Sequence, residues 1–193
     1  MASVVAPPER PERRPDRRPG QTIRKLLDAG AAELRIASFA AITMRSVAAR
    51  AGVSPASAYT YFPSKNALVA TLYLETLKTV APQSSTAGTP RGRVKDALRG
   101  MLLATAEQPE LAAACATAML ADEPAVEAVR NEFVGEVARR LRAALGPDLR
   151  PSVQHTLGLT FAGALMSARF LTYEQISAQL DDSVDLILGA SIS

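Results

Sequence analysis

Tyr59, Tyr61 and Lys65 stand close together in the chain and offer two phenolic hydroxyls and an ammonium. Groups of this kind bond phosphate oxygens, which sets the register of a protein on a nucleic acid. Ser54, Pro55, Ala56 and Ser57 come just before them. These side chains are small enough to let a backbone approach base edges, and the apolar ones can meet thymine methyls. Thr43, Arg45 and Thr60 complete the set of candidate contacts. The chemistry such a set supports is recognition of a polyanion, not bond-making.

The elements that must position these residues are readable in residues 43–65, TMRSVAARAGVSPASAYTYFPSK. Thr43 is an N-cap, its hydroxyl accepting from an otherwise unpaired amide. Val47, Ala48 and Ala51 make a small apolar stripe at helical spacing. Gly52 falls where the chain must leave that helix, a position favouring positive φ. Val53 fills the corner. Ser54-Pro55 starts a second helix, and Pro63 stops it at Phe62. Ser64 then caps a third helix, which places Lys65 and a positive helix end near a phosphate. The spacing predicts a helix-turn-helix whose second helix enters the major groove. The competing reading is an ordinary helical hairpin. The coincidence of two caps, a Pro stop, an aromatic cluster and the Ser-Lys pair argues against it.

The run AGVSPASAYTYFPSK resembles the DNA-binding signature of the TetR family of bacterial transcriptional regulators, within a match from about Gln21 to Leu77. The resemblance implies that Thr43, Ser54 to Ser57, Tyr59, Tyr61 and Lys65 face DNA. It also implies that Val47, Val53, Ala58 and Phe62 hold a three-helix core. One departure is Ala58, where a bulkier aliphatic residue is common.

Composition narrows the class further. With 48% hydrophobic and 21% charged residues, the 193-residue chain is globular, and its many Ala and Leu with few aromatics predict an all-α protein. No apolar run reaches the roughly 18 residues needed to cross a membrane. The start of the chain lacks the apolar stretch of a secretory signal. The single cysteine, Cys115, excludes an internal disulfide and fits a cytoplasmic setting. One His and one Cys leave nothing to build a zinc site from. There is no nucleophile–base pair and no Gly-rich phosphate loop, so neither an enzyme nor a bound cofactor is expected. Charge is segregated: residues 1–80 hold 12 Lys/Arg against 6 Asp/Glu, and residues 81–193 hold 10 against 13. The positive half carries the helix-turn-helix, as phosphate attraction requires.

Residues 1–19, with five Pro and five Arg, read as a disordered tail. It is either a solvated leader or a basic arm touching the minor groove. Residues 20–66 form the expected DNA-binding domain of three helices, the first from Gln21 to about Ile36 with Ile23, Leu27, Gly30 and Leu34 on one face. Residues 67–190 form a larger helical regulatory and dimerisation domain, giving about nine helices in all. Its helices are expected at Ser64–Val80 (the shared linker helix), Arg91–Ala106, Pro109–Leu120, Pro124–Leu145, Pro151–Thr172 and Tyr173–Gly189.

The helix from Pro151 is apolar nearly all round, so it must be buried all round. Its own neighbours cover about half of it. Gly158, Ala162, Ala164, Leu165 and Ala168 on this helix, with Leu180, Val184 and Ile187 on the last, are candidates for a four-helix interface with a second copy. A buried core helix in a monomer is the alternative. The family resemblance implies dimerisation through these last two helices.

The resemblance also implies a small-molecule pocket in the C-terminal domain. Met101, Cys115, Met119, Phe133, Val137, His155, Phe161, Met166 and Phe170 are the candidate lining residues. Met and Phe suit a mostly apolar ligand, although such stripes are also ordinary core. Cys115 is a redox sensor or an inert core residue. The resulting expectation is a homodimeric repressor on a palindromic operator, released by a small, largely apolar effector. The alternative is a DNA-binding regulator whose C-terminal domain takes a protein partner or no ligand.

Overall fold

The computed structural model describes residues 18–81, 88–146, 150–168 and 170–189. Among them are nine α-helices and no strand: α1 Arg18–Leu34, α2 Met44–Ala51, α3 Pro55–Tyr61, α4 Lys65–Thr79, α5 Pro90–Ala106, α6 Pro109–Ala118, α7 Pro124–Leu145, α8 Pro151–Ser167 and α9 Tyr173–Gly189. The tail expected over 1–19 lies outside the described residues up to 17. Its last two residues, Arg18 and Pro19, open α1 instead. A proline is tolerated there because first-turn amides have no intrahelical partner.

Local signals fix the boundaries. Thr43 and Ser46 form a reciprocal capping box, Thr43 Oγ1 accepting from Ser46 N at 3.1 Å and Ser46 Oγ from Thr43 N at 3.3 Å. Gly52 ends α2 in the left-handed region at φ 68°. Val53 N then donates to Ala48 O at 3.0 Å, closing the turn. Ser54 Oγ accepts from Ser57 N at 3.1 Å to start α3. Ser64 Oγ accepts from Ala67 N at 3.0 Å to start α4. Helix α8 stops at Ser167, earlier than the expected Thr172. There Thr172 and Gln175 form a second reciprocal cap, which claims Thr172 for the start of α9.

Two apolar cores result. The first gathers α1 to α4 around Leu26, Ala29, Val47, Ala48, Ala58, Phe62 and Leu68, and continues into α6 through Leu111, Ala114, Cys115 and Ala118. Ala58 is completely buried, so the small residue at that position serves close packing. A Cβ on Gly30 would stand 3.1 Å from Leu68, which is how near α1 and α4 approach. The second core joins α5, α7, α8 and α9 through Leu98, Met101, Leu141, Leu157, Phe161, Leu180 and Val184. Helix α4 is buried on more than one face, with Leu72 and Tyr73 in the first core and Leu77 in the second. It packs on α1, α5, α6 and α7. Its C-terminal end is held by the buried Arg140, which donates to Leu77 O at 2.8 Å and Val80 O at 2.9 Å.

Candidate nucleic-acid interface and ligand cavity

The helix-turn-helix presents one polar face. Thr43, Arg45, Ser54, Pro55, Ala56, Tyr59 and Thr60 are exposed, and Ser57, Tyr61 and Lys65 are half-buried. Thr43 and Ser54 spend an acceptor lone pair on their caps. Thr60 Oγ1 donates to Ala56 O at 3.0 Å within its own helix. Tyr59 is half exposed, whereas Tyr61 leans on the first core. The exposed part of α3 is therefore made of small residues with a phenol at its far end, a shape that admits close approach.

Lys65 does not sit as expected. Its Nζ donates to Phe39 O at 2.9 Å, Ala40 O at 3.3 Å and Ile42 O at 3.3 Å. It also lies 4.6 Å from the centre of the Phe39 ring. An ammonium has three donors, and all three are used inside the protein. The charge thus ties α4 to the loop between α1 and α2 instead of being offered to a phosphate. Arg50 makes a further tie, its Nε donating to Glu33 Oε1 at 2.5 Å, and this pairing holds the Glu33 carboxyl below its ordinary value.

A contact that the sequence does not disclose lies on either side of Lys65, at the start of α4. Glu123 precedes α7, yet its carboxylate accepts from Ser64 Oγ and, at 2.7 Å, from Asn66 Nδ2. These bonds hold the Glu123 carboxyl below its ordinary value. In the sequence, Asp122-Glu123-Pro124 reads only as a helix start, and nothing local points across 57 positions to Asn66.

A cavity of about 650 Å³ lies between α4, α6, α7 and α8. Cys115, Met119, Phe133, Val137, His155 and Met166 line it, as expected candidates. Three candidates are corrected. Met101 of α5 and Phe161 of α8 are fully buried, packed in the second core among residues of α7 and α9. Phe170 is 83% exposed at the corner between α8 and α9. The lining also includes Tyr73 and Arg130, which periodicity did not single out. Tyr73 reaches it from α4 and stacks on Phe133, ring centres 5.8 Å apart. Burial pushes the Cys115 thiol up to about 12, so almost no thiolate exists at neutral pH and the redox-sensor alternative loses its nucleophile.

The interface candidates also divide. Leu180 and Val184 are buried against α5 and α8 within the protomer and are unavailable to a partner, a second correction. Gly158, Ala162 and Leu165 line the cavity. Ala164, Ala168 and Ile187 are half-buried against the second core. Apolar exposure on α8 and α9 falls instead on Leu159, Met166 and Leu186, with Phe170 between the helices. Among the described residues, no helix is long and apolar enough to cross a membrane, and no group of three or more His, Cys, Asp or Glu could hold a metal.

Comparison with known proteins agrees with this architecture. Residues 26–72 match the model of the bacterial regulatory proteins of the tetR family. An uncharacterised HTH-type transcriptional regulator of Mycobacterium tuberculosis is 43% identical over 175 residues, which cover 88% of this chain and 82% of that protein. A TetR transcriptional regulator from Rhodococcus sp. RHA1 shares the fold with a TM-score of 0.78 at 18% identity, covering 90% of this chain and 98% of that one. Thermus thermophilus FadR, a repressor solved in complex with lauroyl-CoA, aligns with a TM-score of 0.66 at 20% identity over 86% of this chain and 93% of that one. The helix-turn-helix at the N-terminus, the helical body behind it and these likenesses have one reading: the chain belongs to the TetR family of DNA-binding bacterial transcriptional regulators.

Proposed function

We propose that this protein is a homodimeric repressor that binds a palindromic operator in the cytoplasm and is released by a small, largely apolar effector. The observation that carries the reading is the position of Tyr73. It lines the 650 Å³ cavity, and it belongs to α4, the helix that starts at Lys65 beside the recognition helix α3. A cavity of that size falls within the range of small-molecule sites. The lauroyl-CoA complex of FadR supports the use of this fold for an apolar ligand.

Two copies offer two α3 helices. For successive major grooves their centres must lie about 34–36 Å apart, or a multiple of that. A ligand filling the space beside Tyr73 and Phe133 displaces the α4–α7 packing and with it the setting of α3. To act as a switch, the ligand must prefer the released arrangement by a few kcal/mol, about 5.5 for a complete reversal of populations.

The test is a gel shift of the full chain on the DNA flanking its own gene, followed by footprinting. The expected result is a symmetric footprint that disappears when a ligand of the cavity is added. Failure to bind any such fragment at low ionic strength overturns the operator reading. Binding that no cavity ligand alters overturns the effector reading.

A further inference from the structure

We infer that the effector is an amphiphilic monoanion whose acidic group is held by Arg130; the inference rests on the reading of the cavity as the effector site. Arg130 is a half-buried lining residue of a mostly apolar space. Its Nη1 donates to Met119 O at 2.8 Å and to Ala121 O at 2.9 Å, the carbonyls just beyond α6. These bonds fix the guanidinium in place. They occupy one of its three nitrogens, so the donors on Nε and Nη2 have no partner among the described residues. Among the described residues no carboxylate pairs with it: Glu127, one turn earlier on α7, makes no ion pair with Arg130, and the lining contains neither Asp nor Glu.

A cation without a counter-ion at the wall of an apolar space is an anion site in waiting, since a guanidinium presents a fork that matches a carboxylate. The other polar lining side chains, Tyr73, Cys115, Gln154 and His155, include no carboxylate. A cationic ligand is repelled by the guanidinium and finds no carboxylate in the lining. A neutral ligand fills the apolar part and leaves the guanidinium unpaired. A ligand with one acidic group and an apolar body satisfies both, and it also couples α7 to the end of α6, the helix that packs on α1 and α4.

The test uses three probes with the same ten-carbon chain: decanoate, 1-decanol and decylamine, kept below their aggregation limits. Binding to the full wild-type chain is measured by calorimetry or ligand-induced melting shift. The expected order is decanoate about tenfold or more tighter than decanol, the increment of a charge-assisted hydrogen bond, with decylamine weakest. In Arg130→Gln the advantage of decanoate over decanol disappears while decanol binding persists. Because loss of the Met119 and Ala121 bonds can destabilise that variant, the wild-type order stands as an independent criterion. If decanol binds as well as decanoate to the wild type, the anion inference is overturned and the effector cavity stands. If none of the three binds, both are overturned.

Discussion

The carboxylate of Glu123, at the entry to α7, accepts a hydrogen bond from Asn66 Nδ2, in the first turn of α4, at 2.7 Å. The same carboxylate accepts from Ser64, the N-cap of α4. Thus the wall of the cavity and the start of the helix behind α3 share one acidic side chain. Glu123→Ala removes both bonds and is expected to lower unfolding free energy by about 1–2 kcal/mol. It is also expected to change operator affinity, because α4 is freed from α7 at the end nearest the DNA. Denaturant melts and anisotropy titrations check the two effects. Unchanged values in both would show that the contact transmits nothing.

Acid should erase that difference. The two hydrogen bonds hold the Glu123 carboxyl below its ordinary value of 4.5. A folded-state value beneath the unfolded one stabilises fully above 4.5, and the contribution fades as pH falls through the lowered folded value. Wild type and Glu123→Ala should therefore differ in melting temperature at pH 7 and converge well below pH 4.5. A gap that stays constant with pH would mean that the ionised carboxylate is not the stabilising form.

Lys65 and Arg45 are expected to behave oppositely. Lys65→Ala strips hydrogen bonds from three carbonyls of the α1–α2 loop and should cost about 1–3 kcal/mol in stability. Its ammonium is not offered to phosphate, so the slope of log affinity against log salt should stay the same. Arg45 is exposed on the first helix of the motif, and Arg45→Ala should leave stability intact while lowering that slope by about one. The reverse pattern would return Lys65 to the phosphate contacts.

These cases separate what a sequence can and cannot disclose here. Caps, prolines and Gly52 act within a few residues, so the starts of α2, α3, α4 and α7 are readable from residue types alone. The early stop of α8 has a local signal as well, Thr172 with Gln175, which pair at the start of α9. The direction of a side chain across a helix pair is different. Met101, Met119 and Phe161 look alike in a list, yet only Met119 faces the cavity. Lys65 satisfies a motif, but the carbonyls it serves lie more than 20 positions upstream. Glu123, Tyr73 and Arg130 gain their roles from neighbours brought in by the tertiary fold.

Filling the cavity should separate DNA binding from response. Ala138 is half-buried on α7 and lines the space. Ala138→Phe adds a ring where a ligand must sit. The variant is expected to keep wild-type operator affinity and to lose ligand binding by a factor of ten or more, the consequence of clashing with an apolar ligand. Anisotropy with and without effector reads both quantities. Retained response to ligand would place the effector elsewhere.

The corrected face of α8 and α9 calls for a different probe of association. Ala164 is half-buried against its own protomer's core, so a charge there would test folding. Leu159 and Leu186 are 76% and 74% exposed on the two helices. In the proposed dimer the partner covers these two leucines on adjoining helices; Leu159 also stands at the edge of the cavity. Leu159→Glu with Leu186→Glu puts two like charges per protomer into that contact, and a symmetric pairing doubles them. Light scattering should then report a monomer while circular dichroism retains the helical content. Operator affinity should fall steeply, because the two half-sites are no longer bound by one body. A dimer of undiminished mass would show that the chains meet through another face.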